Sequence, residues 1–260
     1  MQAMLNIATT AAIQAGKVIN QHYDRFDAVK VSRKGHNDFV TEVDRKAEEC
    51  IIYHIHKAHP SHSILAEESG QQGEHDFCWV IDPLDGTANF MHGFPQFAVS
   101  IALRKNGETK LGVVYDPLAN ELYTAISGSG ARMNNRRIRV GKKEKLADSL
   151  IGTGFPFRSP ENIDLYLKVF TPMLKQASDI RRSGSAALDL AYVAAGRLDG
   201  YWESDLNIWD VAAGALLVKE AGGIVTDLDG GNSFNSRGDV LAANKPVHQQ
   251  MHSILTTQSD

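Results

Sequence analysis

The chain has 260 residues, 43% of them hydrophobic, and a formal net charge of −4. That is enough for one large domain or two smaller ones with a substantial core, and a balance so near neutrality argues against a dedicated nucleic-acid binder. No run of about 18 apolar residues is present to span a membrane. The N-terminal stretch lacks the basic region and continuous apolar segment of a secretory signal. The only two cysteines, Cys50 and Cys78, lie in apolar stretches and read as reduced core residues of a cytoplasmic protein.

Leu5, Ala8, Ala12, Ala15, Ile19 and Tyr23 recur at helical spacing, which predicts an amphipathic helix to about residue 24. A second helix is predicted over 41–58, stopped by Pro60. Residues 63–66 read as a strand ending on Glu67-Glu68. Runs at 97–104, 110–116 and 121–126, joined by Gly- and Asn-rich turns, predict an antiparallel meander, followed by a short basic strand at 136–140. Beyond residue 150 come a strand at 150–153, a helix at 161–177 that Pro172 should kink or restart, and a helix after the cap Ser183-Gly184-Ser185. A strand at 200–203 leads into a helix over WDVAAGALLVKEAGG that ends at Gly222-Gly223, then strands near 224–227 and 238–243 and a final helix. This order predicts two halves, an α+β half over 1–145 and an α/β half over 146–260.

The most telling stretch is WVIDPLDGTANF at 79–90. An apolar run ends on Asp82, Pro83 bends the path, and Asp85 follows at once. Two carboxylates this close raise each other's pKa unless a cation lies between them, and hard divalent ions prefer such oxygens. Gly86 and Thr87 then open a helix whose first N–H groups suit an anion. Metal and phosphate would meet at one point, as in a phosphatase. Asp and Gly together also make ordinary turns. A covalent aspartyl phosphatase of the haloacid-dehalogenase type fits less well, because its two aspartates are two apart on one strand face. Here they are three apart, so Asp85 is expected past the bend, with water as the nucleophile.

Three further acids fall at the ends of predicted elements. Glu67 follows a strand as Asp82 does, Asp210 opens a helix after Trp209, and Asp44 lies just inside the helix that follows DFVT. Each alone reads as a solvated loop or capping residue; together they read as a site.

With Glu67-Glu68-Ser69, the motif from Trp79 to Phe90 and WDVAAG at 209–214, the chain resembles the inositol monophosphatase family. GHNDFVTEVD at 35–44, RRSGSAALDLAYVAAGRLDG at 181–200 and MLNIA at 4–8 are similar to its bacterial SuhB-type branch. The resemblance covers nearly the whole chain. It implies a layered α-β-α-β-α sandwich of the sugar-phosphatase superfold, with an antiparallel N-terminal sheet and a mixed C-terminal sheet. It implies two to three Mg²⁺ ions. Glu67, Asp82 and the Leu84 carbonyl would hold one, Asp82, Asp85 and Asp210 the second, and Glu67 would help place a third through water. Glu67 and Thr87 would orient the attacking water, with Asp44 accepting the Thr87 proton. Gly86 and Thr87 would bind phosphate, and Gly184, Ser185, Ala186, Glu203, Asp85 and Asp210 would contact the substrate. The resemblance further implies hydrolysis of myo-inositol 1-phosphate and related polyol monophosphates, inhibition by Li⁺ and a homodimer. For the SuhB-type branch it also implies a partnership with RNA polymerase and antitermination factors. Fructose-1,6-bisphosphatase and 3′-phosphoadenosine 5′-phosphate phosphatase share the metal motif but carry extra segments for which this chain has little room. The chain departs from the family at Ala88, where threonine is usual, and in segment 204–208 at the expected substrate mouth. Lys34 lies in a loop one residue shorter than in animal members and is not assigned a role.

Two other features read mainly as surface. His54, His56, His59 and His62 lack the shared-face spacing of metal ligands and read as solvated helix-end side chains. RRIRVGKKEK at 136–145 reads as a solvated basic segment, with a patch for RNA or an acidic partner as the alternative.

Overall fold

The computed structural model of the chain describes residues 1–23, 31–35, 38–157 and 159–257. Helices α1 (Gln2–Tyr23) and α2 (Glu42–Ala58) form where the apolar spacing predicts them. A hairpin, β1 (Val31–Gly35) and β2 (Asp38–Thr41), lies between them. The side chain of Lys34 lies outside the described residues.

The larger sheet contains β3 (Ser63–Ala66), β4 (Gly70–Gln72), β5 (Phe77–Asp85), β6 (Ala98–Lys105), β7 (Glu108–Asp116), β8 (Glu121–Ile126), β9 (Gly130–Met133) and β10 (Arg136–Arg137), in the order β10-β9-β8-β7-β6-β5-β3-β4. The five-residue helix α3 (Thr87–Met91) follows β5. Five more strands, β11 (Leu150–Thr153), β12 (Asp179–Arg181), β13 (Gly200–Glu203), β14 (Ile224–Thr226) and β15 (Val240–Ala243), make a mixed sheet in the order β12-β11-β13-β15-β14. With it run α4 (Ile163–Gln176), α5 (Ala186–Ala194), α6 (Ile208–Glu220), α7 (Phe234–Arg237) and α8 (Lys245–Thr257). The last strand of the large sheet ends at Arg137 and the first of the small one in chain order begins at Leu150.

Strand alternation sorts the side chains into layers. Trp79, Ile81, Val99, Ile101 and Leu103 face α1 and α2, where Ala8, Ala12, Ala15, Ile19, Ile51 and Ile55 are buried. Their neighbours Val80, Ala98 and Ala102 face the opposite way, against Ala187, Leu188, Ala191, Val211 and Ala212 of α5 and α6. Those helices rest in turn on Tyr201, Val225 and Ala242 of the small sheet. Ile151, Trp202 and Leu241 on its far face pack on Met173, Val247 and Met251 of α4 and α8. The result is the expected α-β-α-β-α stack. Close contact between α5 and α6 depends on Gly214, where a Cβ would sit 2.5 Å from Leu190 Cβ.

Several expectations are corrected. Strand β5 does not end at Asp82 but continues through Pro83 to Asp85. The large sheet is not wholly antiparallel, because β3 and β5 pair in parallel. The basic strand is two residues long, Arg136–Arg137, rather than 136–140. Helix α4 runs unbroken through Pro172 rather than restarting; the carbonyl deprived of a partner belongs to Lys168, an exposed residue that water can serve. Cys50 and Cys78 are free but half-buried, not core. His62 is not solvated: it is buried, its ring stacks on His59 at 4.4 Å and on Phe77 at 5.0 Å, and its Nδ1 accepts from Trp79 Nε1 at 3.1 Å. Among the described residues no helix is long and apolar enough to cross a membrane.

Candidate active site

The parallel pairing of β3 and β5 brings their C-terminal ends together. Ala66 pairs with Ile81, and the Glu67 N–H donates to the Ile81 carbonyl at 3.1 Å, which seats Glu67 beside Asp82. An antiparallel pair would have sent the two acids to opposite ends of the sheet.

A bulge solves the spacing of Asp82 and Asp85. Asp82 pairs with Ser100 and Asp85 with Ala98, so three steps on β5 span two on β6. The extra residue flips the alternation once, and side chains that a regular strand would send to opposite faces share one face. Pro83, which cannot donate to the ladder, sits inside the bulge. The Leu84 N–H donates to Asp82 Oδ1 at 3.0 Å.

Asp210 arrives from α6. Asn207 caps this helix and its N–H donates to Asp210 Oδ2 at 2.6 Å, a reciprocal capping box that puts the carboxylate in the first turn. The helix begins at Ile208, one residue before the expected Trp209. The Ser100 hydroxyl, donating to the Trp209 carbonyl at 3.1 Å, ties this turn to β6. Carboxylate oxygens of Asp82, Asp85 and Asp210 then lie within 4.8 Å of one another. Asp82 is 1% exposed, and burial, followed by the charges of Glu67, Asp85 and Asp210, pushes its carboxyl well above the usual range. Its hydrogen bond with Glu67 needs a proton between the two groups. A hard cation offered these oxygens would displace that proton, so the donor set fits a divalent metal of the Mg²⁺ kind.

At Gly86 the chain turns into α3 with φ +96°, and a Cβ there would sit 2.8 Å from the Gln96 carbonyl oxygen. Only glycine meets both demands. Next to it, Thr87 Oγ1 lies 2.9 Å from Asp44 Oδ1 and 3.0 Å from the Leu84 carbonyl. Asp44 is fully buried, and its other oxygen accepts from the Thr41 N–H at 2.9 Å and from the Thr41 hydroxyl. Burial raises the Asp44 carboxyl, while the bonds from Thr41 and Thr87 oppose the shift. Ala88 is exposed at the pocket edge.

The second half closes the pocket. Asp85 Oδ2 accepts from the Ser185 hydroxyl and from the Ala187 N–H, each at 2.7 Å, so the start of α5 grips this carboxylate. Asn89 Nδ2 donates to Gln96 O at 2.7 Å and Ser183 O at 2.9 Å and lies 3.3 Å from Gly184 O, fastening α3 to the turn before α5. Glu203, at the end of β13, accepts from the Tyr201 hydroxyl and lies so close over Gly154 that any Cβ there would overlap its carboxyl group. Glu67, Asp82, Leu84, Asp85, Gly86, Thr87, Gly184, Ala186, Glu203 and Asp210 all line one pocket of about 90 Å³. Asp44 and Ser185 stand behind it, reaching it through Thr87 and Asp85.

Residues outside the predicted site also belong here. Arg182 lines the pocket with its guanidinium over the Phe155 and Phe157 rings, at 5.5 and 4.9 Å. Buried Asp189 accepts from the Ser183 hydroxyl beneath the Gly184 turn. Nothing in local spacing marks Asp189, because it sits in an otherwise apolar helix; a buried acid there was the available signal.

The sequence matches the inositol monophosphatase family over residues 1–259. It is 51% identical over 263 residues to a Pseudomonas aeruginosa protein named Nus factor SuhB, covering 99% of this chain and 96% of that one. The crystal structure of extragenic suppressor protein suhB from Bartonella henselae superposes with a TM-score of 0.95 at 45% identity, over 97% of this chain and 98% of that one. An inositol monophosphatase from Anabaena (Nostoc) does so at 0.89 and 41% identity, over 98% and 96%.

Proposed function

The chain belongs to the inositol monophosphatase family, and from that premise we propose that it hydrolyses myo-inositol 1-phosphate and related polyol monophosphates with Mg²⁺, as a cytoplasmic homodimer. The observation that carries the reading is the convergence of Asp82, Asp85 and Asp210 beside Glu67 at the Gly86–Thr87 turn. Glu67, Asp82 and the Leu84 carbonyl would hold one ion, Asp82, Asp85 and Asp210 a second, with Glu67 assisting a third. When bound, such ions neutralise phosphate charge and make water acidic enough to attack near neutral pH.

The residues of the chain supply the rest. Asp44, fixed by Thr41, takes the hydrogen bond of the Thr87 hydroxyl. Thr87 Oγ1 then presents a lone pair to the attacking water, and Glu67 receives the other water proton. N–H groups of Gly86 and Thr87 hold phosphate oxygens. Asp85 keeps its orientation through Ser185 and Ala187. Glu203, which takes the Tyr201 hydroxyl, accepts from polyol hydroxyls. Backbone groups of Gly184, Ser185 and Ala186 and the carboxylate of Asp210 complete the substrate contacts. With the pocket carboxylates given over to metal, water and substrate, water attacks directly.

The test is phosphate release from inositol 1-phosphate, glycerol 2-phosphate, fructose 1,6-bisphosphate and adenosine 3′,5′-bisphosphate, with Mg²⁺, with chelator and with Li⁺. Turnover of the first two that needs Mg²⁺ and falls with Li⁺ is expected. Negligible turnover on all four would overturn it. A second reading would then stand, an accessory factor of RNA polymerase in antitermination complexes. The name of the Pseudomonas aeruginosa relative favours it, as do the exposed Arg136 and Arg137 at the edge of the large sheet.

A further inference from the structure

A second cavity, of about 240 Å³, lies on the far side of the wall that carries Glu203. Gly154, against which Glu203 packs, lines it, as do Ser204 and Asp205. The acidic pocket begins again at Leu206. Segment 203–206 thus separates two chemically different spaces.

One side of the cavity is flat and apolar. Leu165, Tyr166 and Val169 of α4, Trp202 of β13 and Leu228 and Leu255 form it. The Tyr166 and Trp202 rings lie nearly parallel, 14° apart with centroids at 6.4 Å. The Trp202 indole N–H, buried in this wall, has no acceptor among the described residues.

The other side is acidic. Asp205 holds the left-handed conformation, φ +62°, and Asn162 Nδ2 donates to its carboxylate at 3.1 Å. Arg237 pairs with Asp229 and reaches Asp239 at 3.8 Å. Among the described residues, three carboxylates face one guanidinium on this rim. Burial pushes the Asp239 carboxyl up, Arg237 pulls it down, and Asp205 and Asp229 push it up again.

We propose that this cavity is a binding site for a small organic cation with a flat apolar body, an arylalkylamine in class. A flat ring suits the Tyr166–Trp202 wall, and an ammonium suits an acidic rim beside aromatic faces. The acidic rim disfavours phosphate esters. A cavity of about 150 Å³ holds benzene, so this one takes a ring with a two-carbon amine arm, about nine non-hydrogen atoms. The ligand differs in charge and polarity from anything the acidic pocket beside it would take.

The test is calorimetric titration of the full chain, in chelator and without phosphate ester, using 2-phenylethylamine, the neutral 2-phenylethanol and the anionic 3-phenylpropionate. Saturable binding of the amine is expected, about tenfold tighter than the alcohol, with none for the carboxylate. Changing Asp229→Asn and Asp239→Asn together should weaken the amine about tenfold and leave the alcohol unchanged. Leu165→Trp, at an exposed position over the cavity, should abolish binding of both, with urea midpoints confirming that each variant folds. Equal binding of amine and alcohol, binding of the carboxylate, or amine binding untouched by Leu165→Trp would overturn the proposal. Because neither metal nor substrate is present, these outcomes are independent of the phosphatase reading. Phosphate release by the same variants should stay at the parent level.

Discussion

Replacing Asp85 with asparagine removes one charge from the acidic pocket while keeping the shape of the side chain. The carboxylate now takes the Ser185 hydroxyl and the Ala187 N–H on one oxygen. An amide oxygen can keep both bonds, which turns the NH₂ group toward Asp82 and Asp210 and leaves α5 docked. Oxygens of the three acids lie within 4.8 Å, and one pair of unit charges at that separation repels by about 3 kcal/mol at an effective dielectric near 20. Proton sharing at Asp82 already relieves part of this, so the metal-free variant should be about 1–2 kcal/mol more stable than the parent. With Mg²⁺ the sign reverses. A hundredfold loss of affinity removes about 2.7 kcal/mol of ligand-linked stability under saturating conditions. Urea denaturation followed by circular dichroism, in chelator and in Mg²⁺, reads both effects, and phosphate release on the same samples should fall at least about a hundredfold. A variant no more stable in chelator, or as strongly stabilised by Mg²⁺ as the parent, would refute a single cation site built from these three acids.

Two other outcomes follow from the same geometry. Gly86→Ala forces a Cβ to within 2.8 Å of the Gln96 carbonyl at φ +96°; left-handed strain of about 1 kcal/mol and overpacking of about 1–3 should lower stability by about 2–4 kcal/mol, and an unchanged urea midpoint would contradict the tight turn. Acid should act on the buried imidazoles: burial, with neighbouring His59 and His75, holds His62 down at about 4, and burial with His252 does the same for His248. Both are neutral in the fold while the unfolded chain protonates near pH 6.5, so their contribution is present above that pH and is lost between about 6.5 and 4, by up to about 3 kcal/mol each. Buried Asp44, Asp82 and Asp189, raised chiefly by burial, work in the opposite direction. The histidine share is therefore read as the difference between the parent and His62→Leu, and parallel pH profiles for the two would contradict it.

Local pattern carried much of this protein. The spacing of Ala8, Ala12, Ala15 and Ile19, and of Val43, Ala47, Ile51 and Ile55, is that of helices with one buried stripe, because period and burial are properties of a short segment. The meander was legible for the same reason, with Asn106 and Asn120 at positive φ in its turns. The acids Glu67, Asp82, Asp85 and Asp210 and the turn at Gly86 could be named from residue type and position. Strands β4, β9 and β12 could not, since GQQ, GARM and DIR carry no apolar run to mark them. His62 looked like surface because much of its cover, the rings of His75 and Phe77, comes from outside its own helix end.

Tertiary structure decided how the named acids meet. The parallel pairing of β3 with β5 sets Glu67 against Asp82. The bulge at Pro83–Leu84, defined only by the partner strand β6, turns Asp82 and Asp85 to one face. Helices α5 and α6, from the other half of the chain, bring the grip on Asp85 and the carboxylate of Asp210. Each of these depends on pairing and packing between residues 13 to 128 positions apart. A charge cluster costs free energy that only such long-range packing can supply, so its residues are written in the sequence and its geometry is not.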